Sequence, residues 1–111
     1  MFRHVVLWRF DDDSDDARNR ELAIHVKAGL EEMAYEVHGL RTIDVHIDPA
    51  RNGSSNADVF LDAVFEDRDV YRDFLESPRY IAIKKILDSC MEERMCMDFE
   101  EEPEDDALLD K

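Results

Sequence analysis

Basic residues are scarce in this chain: 14 Lys and Arg stand against 29 Asp and Glu, a formal charge of −15 over 111 residues. Such a surface repels phosphate backbones and anionic headgroups, so neither nucleic acid nor a membrane is expected as a partner. Long apolar runs are missing, and the N-terminus has no basic segment leading into an apolar core. No membrane span or signal peptide is expected, and the chain reads as soluble and cytoplasmic. Cysteine is limited to Cys90 and Cys96. They are too far apart for a C-x-x-C redox pair and lack flanking metal-ligand residues, so reduced, buried or half-buried thiols are expected. Gly29, Gly39 and Gly53 are too scattered to cradle a phosphate. No two histidines have metal-ligand spacing, so neither a metal nor a cofactor is expected.

What is present is enough for one globular domain, since 44% of the residues are apolar. The organising stretch is FRHVVLWRF, residues Phe2 to Phe10. As a strand it places Phe2, His4, Val6, Trp8 and Phe10 on one face and Arg3, Val5, Leu7 and Arg9 on the other. Both faces carry apolar bulk, which suits a strand held between two layers. Asp11 to Asp16 alternates aspartates like a calcium loop, but Asp16 stands where the sharp turn needs glycine and Leu22 where a closing glutamate belongs. Carboxylates and Ser14 favouring a helix N-terminus is the better reading.

From Asp15 to Val37 the residues Leu22, Val26, Leu30, Met33 and Val37 recur at helical spacing, and Gly39 can terminate the helix in a left-handed conformation. Leu40 to Ile47 and Asp58 to Phe65 alternate as strands around the turn-rich Pro49 to Asn56. Asp67 caps a short helix, and Ser77-Pro78 ends it and starts another that runs to about Ser89. Arg94 to Phe99 is the last strand. From Glu100 onward, seven acids stand against one base. The expected organisation is a domain over 1–100 and a disordered acidic tail over 101–111.

Strand, helix, strand, strand, broken helix, strand is the ferredoxin-like βαββαβ order of an α+β fold, with a four-stranded antiparallel sheet. Helices then cover one face. The other would expose some of Val5, Leu7, Ile43, Val45, Ile47, Phe60 and Val64, more apolar area than a monomer usually shows. A second copy stacked sheet to sheet would cover it, giving a homodimeric α/β barrel with Arg9, Asp58 and Asp62 near the interface.

These segments resemble the stress-responsive A/B barrel domain, one of the dimeric α/β-barrel families. The matching residues are His4-Val5-Val6-Leu7-Trp8-Arg9-Phe10, Gly39-Leu40-Arg41, and Asp58-Val59-Phe60-Leu61 leading to Phe65. Ser77-Pro78-Arg79-Tyr80 falls against a His-Pro-x-His signature, and Met97-Asp98-Phe99 matches near the end. The resemblance covers about Met1 to Glu100 and implies a homodimer with a pocket between sheet and helices in each subunit. Plant polyketide cyclases that resemble this chain use three residues, which fall here on His4, Tyr80 and Phe74. Two of the three roles are altered. A tyrosine of pKa about 10 is a poor base though a usable donor, and Phe74 supplies neither function. Haem enzymes occur among dimeric α/β barrels, but nothing here nominates an axial ligand.

His4 is the leading single candidate, because a neutral imidazole offers one donor and one acceptor. Its bland counterpart is a core histidine satisfied by a neighbour. Tyr71 and Tyr80 read as amphipathic core-edge residues. The expected function is binding of a small apolar or aromatic ligand by His4, Val6, Trp8, Val59, Phe74 and Tyr80. The alternative is a cofactor-free lyase, cyclase or isomerase acting on a polyketide-like or carbonyl substrate, with His4 as base and Tyr80 as proton donor. A third reading gives the acidic tail a basic partner.

Overall fold

Residues 1–11, 16–48 and 56–101 are described by a computed structural model of the protein. The alternating segment forms strand β1 (Phe2–Phe10), and it lies inside the sheet. The elements that follow are helix α1 (Asp16–Glu32) with a 3₁₀ turn at Met33–Tyr35, then strands β2 (Leu40–Ile47) and β3 (Val59–Phe65). Helices α2 (Arg68–Glu76) and α3 (Pro78–Cys90) lead into strand β4 (Met91–Glu100). The strand order is β2-β3-β1-β4 and each neighbouring pair is antiparallel. The ferredoxin-like α+β architecture expected from the element order is therefore the observed one.

Local chemistry sets several boundaries. Asp67 Oδ1 accepts the Val70 N–H at 2.9 Å, and Ser77 Oγ accepts the Tyr80 N–H at 3.2 Å with Pro78 in the first turn of α3. The long helix stops sooner than its periodicity suggests, because its last turn tightens into the 3₁₀ form common at helix ends. Gly39 then takes a φ of +94°, and a Cβ there would come within 2.7 Å of Val70 Cγ2. Strand β4 begins at Met91 rather than Arg94, directly from the end of α3. The acidic stretch at 12–15, most of the loop at 49–55 and the tail from 102 onward lie outside the described residues. Glu101 closes the sheet end, its N–H donating to the Met1 carbonyl at 2.6 Å.

One face of β1 is completely covered: Phe2, His4, Val6, Trp8 and Phe10 are all buried. They pack with Leu61, Ala63 and Phe65 of β3 and with Val26, Leu30, Phe74, Ile83 and Leu87 of the helices. The phase of β2 differs from expectation. Val45 is opposite Leu61, Ile43 opposite Ala63 and Ile47 opposite Val59, and facing residues of an antiparallel pair share one side. These three β-branched residues therefore pack under α1 and do not belong to the open face.

The open face takes its apolar residues from β1, β3 and β4 instead. Met95, Leu7 and Phe60 form one cross-strand row, with Met97 and Val5 beside it. Met95 and Met97 are 73% and 66% exposed. Arg3 and Asp62 share this face and pair within one chain at 2.6 Å. Asp58, expected near an interface, is buried and accepts the Phe10 N–H at 2.7 Å.

Candidate functional site

The register between β1 and β4 aligns Arg94 with Trp8, Cys96 with Val6 and Asp98 with His4. These three β4 residues lie on the helix-facing side of the sheet, yet all three are exposed. The helices cover the other strands and leave this side of β4 open. Cys96 is consequently exposed, where a buried or half-buried thiol was expected; Cys90 is buried and burial raises its thiol pKa.

His4 is fully buried and its Nδ1 is hydrogen-bonded to Asp98 Oδ1. A carboxylate accepts, so Nδ1 donates, and the neutral ring keeps its lone pair on Nε2. That Nε2 atom is buried without a partner among the described residues. Tyr71 completes the group: its hydroxyl donates to Asp98 Oδ2 at 3.2 Å and lies 3.4 Å from His4 Nδ1. Burial, followed by the charge and hydrogen bond of Asp98, raises the Tyr71 pKa, so the phenol stays protonated and acts as a donor.

Two hollows flank this side of β4. The first, about 300 Å³, is lined by Trp8, Tyr80, Lys84, Leu87, Asp88 and Arg94. Burial raises the Tyr80 pKa, and the positive charge of Arg94 works against that rise. The second, about 380 Å³, is lined by Phe2, Arg68, Tyr71, Arg72, Leu75 and Asp98. Of the two α2 arginines that line it, Arg68 lies over the Phe2 ring and pairs with Glu100 at 3.1 Å.

Of the six residues expected to line a pocket, Trp8 and Tyr80 line the first hollow. Val6, Val59 and Phe74 are enclosed in the core, and His4 is covered by its own neighbours. Tyr71 is the tyrosine that reaches His4, whereas the Tyr80 ring packs on Phe74 with centroids 4.8 Å apart. Asp98 and Tyr71 are the functional candidates that sequence reasoning passed over. Asp98 could have been found from strand parity, since it shares a face of β4 with Arg94 and Cys96 while Met95, Met97 and Phe99 take the other. Pairing it with His4 needs the register.

A model of the stress responsive A/B barrel domain family matches residues 2–101. A sequence comparison with curated proteins finds no match. Among solved structures, a dimeric protein of unknown function and ferredoxin-like fold from Bacteroides fragilis is 24% identical, with a TM-score of 0.79. The alignment covers 89% of this chain and 94% of that one. A dimeric ferredoxin-like protein of unknown function from Thermobifida fusca is 19% identical with a TM-score of 0.71, over 88% of each chain. A hydroxynitrile lyase from Passiflora edulis is 14% identical with a TM-score of 0.67, over 88% of this chain and 90% of the lyase. At these identities the likeness is one of fold.

Proposed function

This chain belongs to the stress responsive A/B barrel domain family, and on that premise we propose that it is a cytoplasmic homodimer binding a small apolar or aromatic molecule between sheet and helices. The observation that carries the binding reading is the hollow of about 300 Å³ where two buried aromatic residues, Trp8 and Tyr80, meet open space. Its size is at the lower end of the range for small-molecule sites, about 300–1,000 Å³, which suits a ligand of one or two rings. The exposed row of Met95, Met97 and Leu7 supports pairing through the open sheet face. Two solved proteins of the same fold are described as dimeric. A net charge of −15 keeps nucleic acid and anionic membranes outside this reading.

Trp8 is the chain's one tryptophan, so its fluorescence and indole N–H resonance report on this hollow directly. Titration with neutral single-ring and two-ring carbonyl compounds is expected to give a saturable change at Trp8. No saturable change with any of them would end the binding reading.

A second reading, a cofactor-free lyase, cyclase or isomerase acting on a carbonyl or polyketide-like substrate, draws on the Asp98–His4–Tyr71 group. Asp98 orients His4 so that Nε2 is the basic atom, and Tyr71 rather than Tyr80 is the adjacent proton donor. The Passiflora edulis lyase is a catalyst on a similar fold. Burial of Nε2 places this reading second, because a base must reach its substrate. A His4→Ala variant that retains turnover and its pH profile would rule it out.

A further inference from the structure

The first hollow carries a charge that the rest of the molecule does not prepare one to expect. Lys84 and Asp88 pair at 3.0 Å across one turn of α3 and cancel each other at the rim. Arg94 has no such counterpart. Among the described residues it pairs with no carboxylate, and its side chain donates to Cys96 Sγ at 3.2 Å. In a chain of 29 acids and 14 bases, an arginine left over beside Trp8 and Leu87 makes that lining net positive by one charge. A second observation points the same way. Tyr80 is 4% exposed as a residue and lines the hollow, and no described residue accepts from its hydroxyl, which is open to the hollow rather than sealed in the core. One phenol donor and one guanidinium thus line the same hollow as Trp8, and no protein oxygen among the described residues accepts from either.

We propose that the ligand of this hollow is an aryl carboxylate, its ring against Trp8 and Leu87 and its carboxylate held by Arg94 and the Tyr80 hydroxyl. The inference rests on the binding reading above and adds the charge and geometry of the ligand to it. A guanidinium meets a carboxylate with parallel N–H donors, and the phenol offers a third hydrogen bond to an oxygen lone pair. A neutral amide of the same shape retains the ring contacts but cannot match the charge-assisted bonds. The hollow's size admits a single substituted ring.

The test uses 4-propylbenzoate and 4-propylbenzamide, each titrated into the full chain while the Trp8 indole N–H resonance is followed. The acid is expected to bind about tenfold more tightly than the amide, a difference of about 1.4 kcal/mol. Arg94→Gln is expected to remove that preference and leave amide binding within about twofold. Tyr80→Phe should weaken the acid more than the amide. Equal binding of both probes to the unmodified chain, or a preference for acid that survives Arg94→Gln, would overturn the carboxylate inference and leave the binding reading standing. Silence at Trp8 from both probes would remove the two together.

Discussion

His4, Asp98 and Tyr71 come from three different elements, and their meeting decides the chemistry of one end of β4. The buried imidazole has its Nδ1–H held mainly by Asp98, with the Tyr71 hydroxyl at a longer 3.4 Å. Replacing Asp98 with Asn leaves that donor facing a weaker, differently oriented acceptor and is expected to cost about 1–3 kcal/mol in a urea unfolding series. A loss below about 0.5 kcal/mol, the level of an ordinary surface substitution, would show that the bond contributes little. Tyr71 adds a pH dependence whose sign follows from its shift. Its pKa is raised in the fold, so its contribution is full below the ordinary tyrosine value of about 10 and is lost as pH climbs through the higher folded value. The unmodified chain should therefore lose stability above about pH 10 more steeply than Tyr71→Phe. Parallel alkaline limbs for the two proteins would contradict this.

At the scale of elements, the caps and the glycine turn position the site residues. Ser77 accepts the Tyr80 N–H and donates its own hydroxyl to the Phe74 carbonyl at 2.9 Å, joining α2 to α3. Ser77→Ala is expected to cost about 1 kcal/mol and to move the Tyr80 ring resonances, because Tyr80 lies in the capped turn. Unmoved Tyr80 signals would place its anchor elsewhere. Gly39→Ala combines a left-handed backbone with a clash against Val70. A loss of about 1–3 kcal/mol is expected in thermal unfolding, and a neutral result would mean that the turn relaxes freely. These devices were legible in the sequence: Asp67, Ser77-Pro78 and Gly39 each act within a few residues of themselves. The phase of β2 was not. Ile43, Val45 and Ile47 alternate cleanly, but alternation does not say which side a helix will cover.

For the whole molecule, the open sheet face is the feature that a monomer leaves unfinished. Met95 and Met97 stand on the edge strand β4, on the sheet face proposed for the dimer contact and away from the helix layer. The unmodified chain is expected to sediment as a dimer, and a Met95→Asp, Met97→Asp double variant as a folded monomer. Retained pairing in the variant would move the interface to another surface. Asp62 and Asp58, two of the charged residues expected near that interface, are engaged within their own chain. Asp62 is held by Arg3 of its own chain through two hydrogen bonds of 2.9 and 2.6 Å, and Asp58 fastens the end of β1. In the proposed dimer, apolar contact between methionines, leucine and phenylalanine would be the main attraction between two strongly acidic copies.

Local chemistry, readable from the order of residues, settled the order of elements, their caps and the inward side of β1. Large apolar groups at every second position have one way to leave water, and capping groups act on neighbours a turn away. The parity of β2, the uncovered side of β4 and the contact of His4 with Asp98 and Tyr71 were settled by the assembled sheet. Each depends on the register between strands far apart in the chain and on where the helices come to rest. Periodicity fixes which residues share a face, while only packing chooses which face is covered.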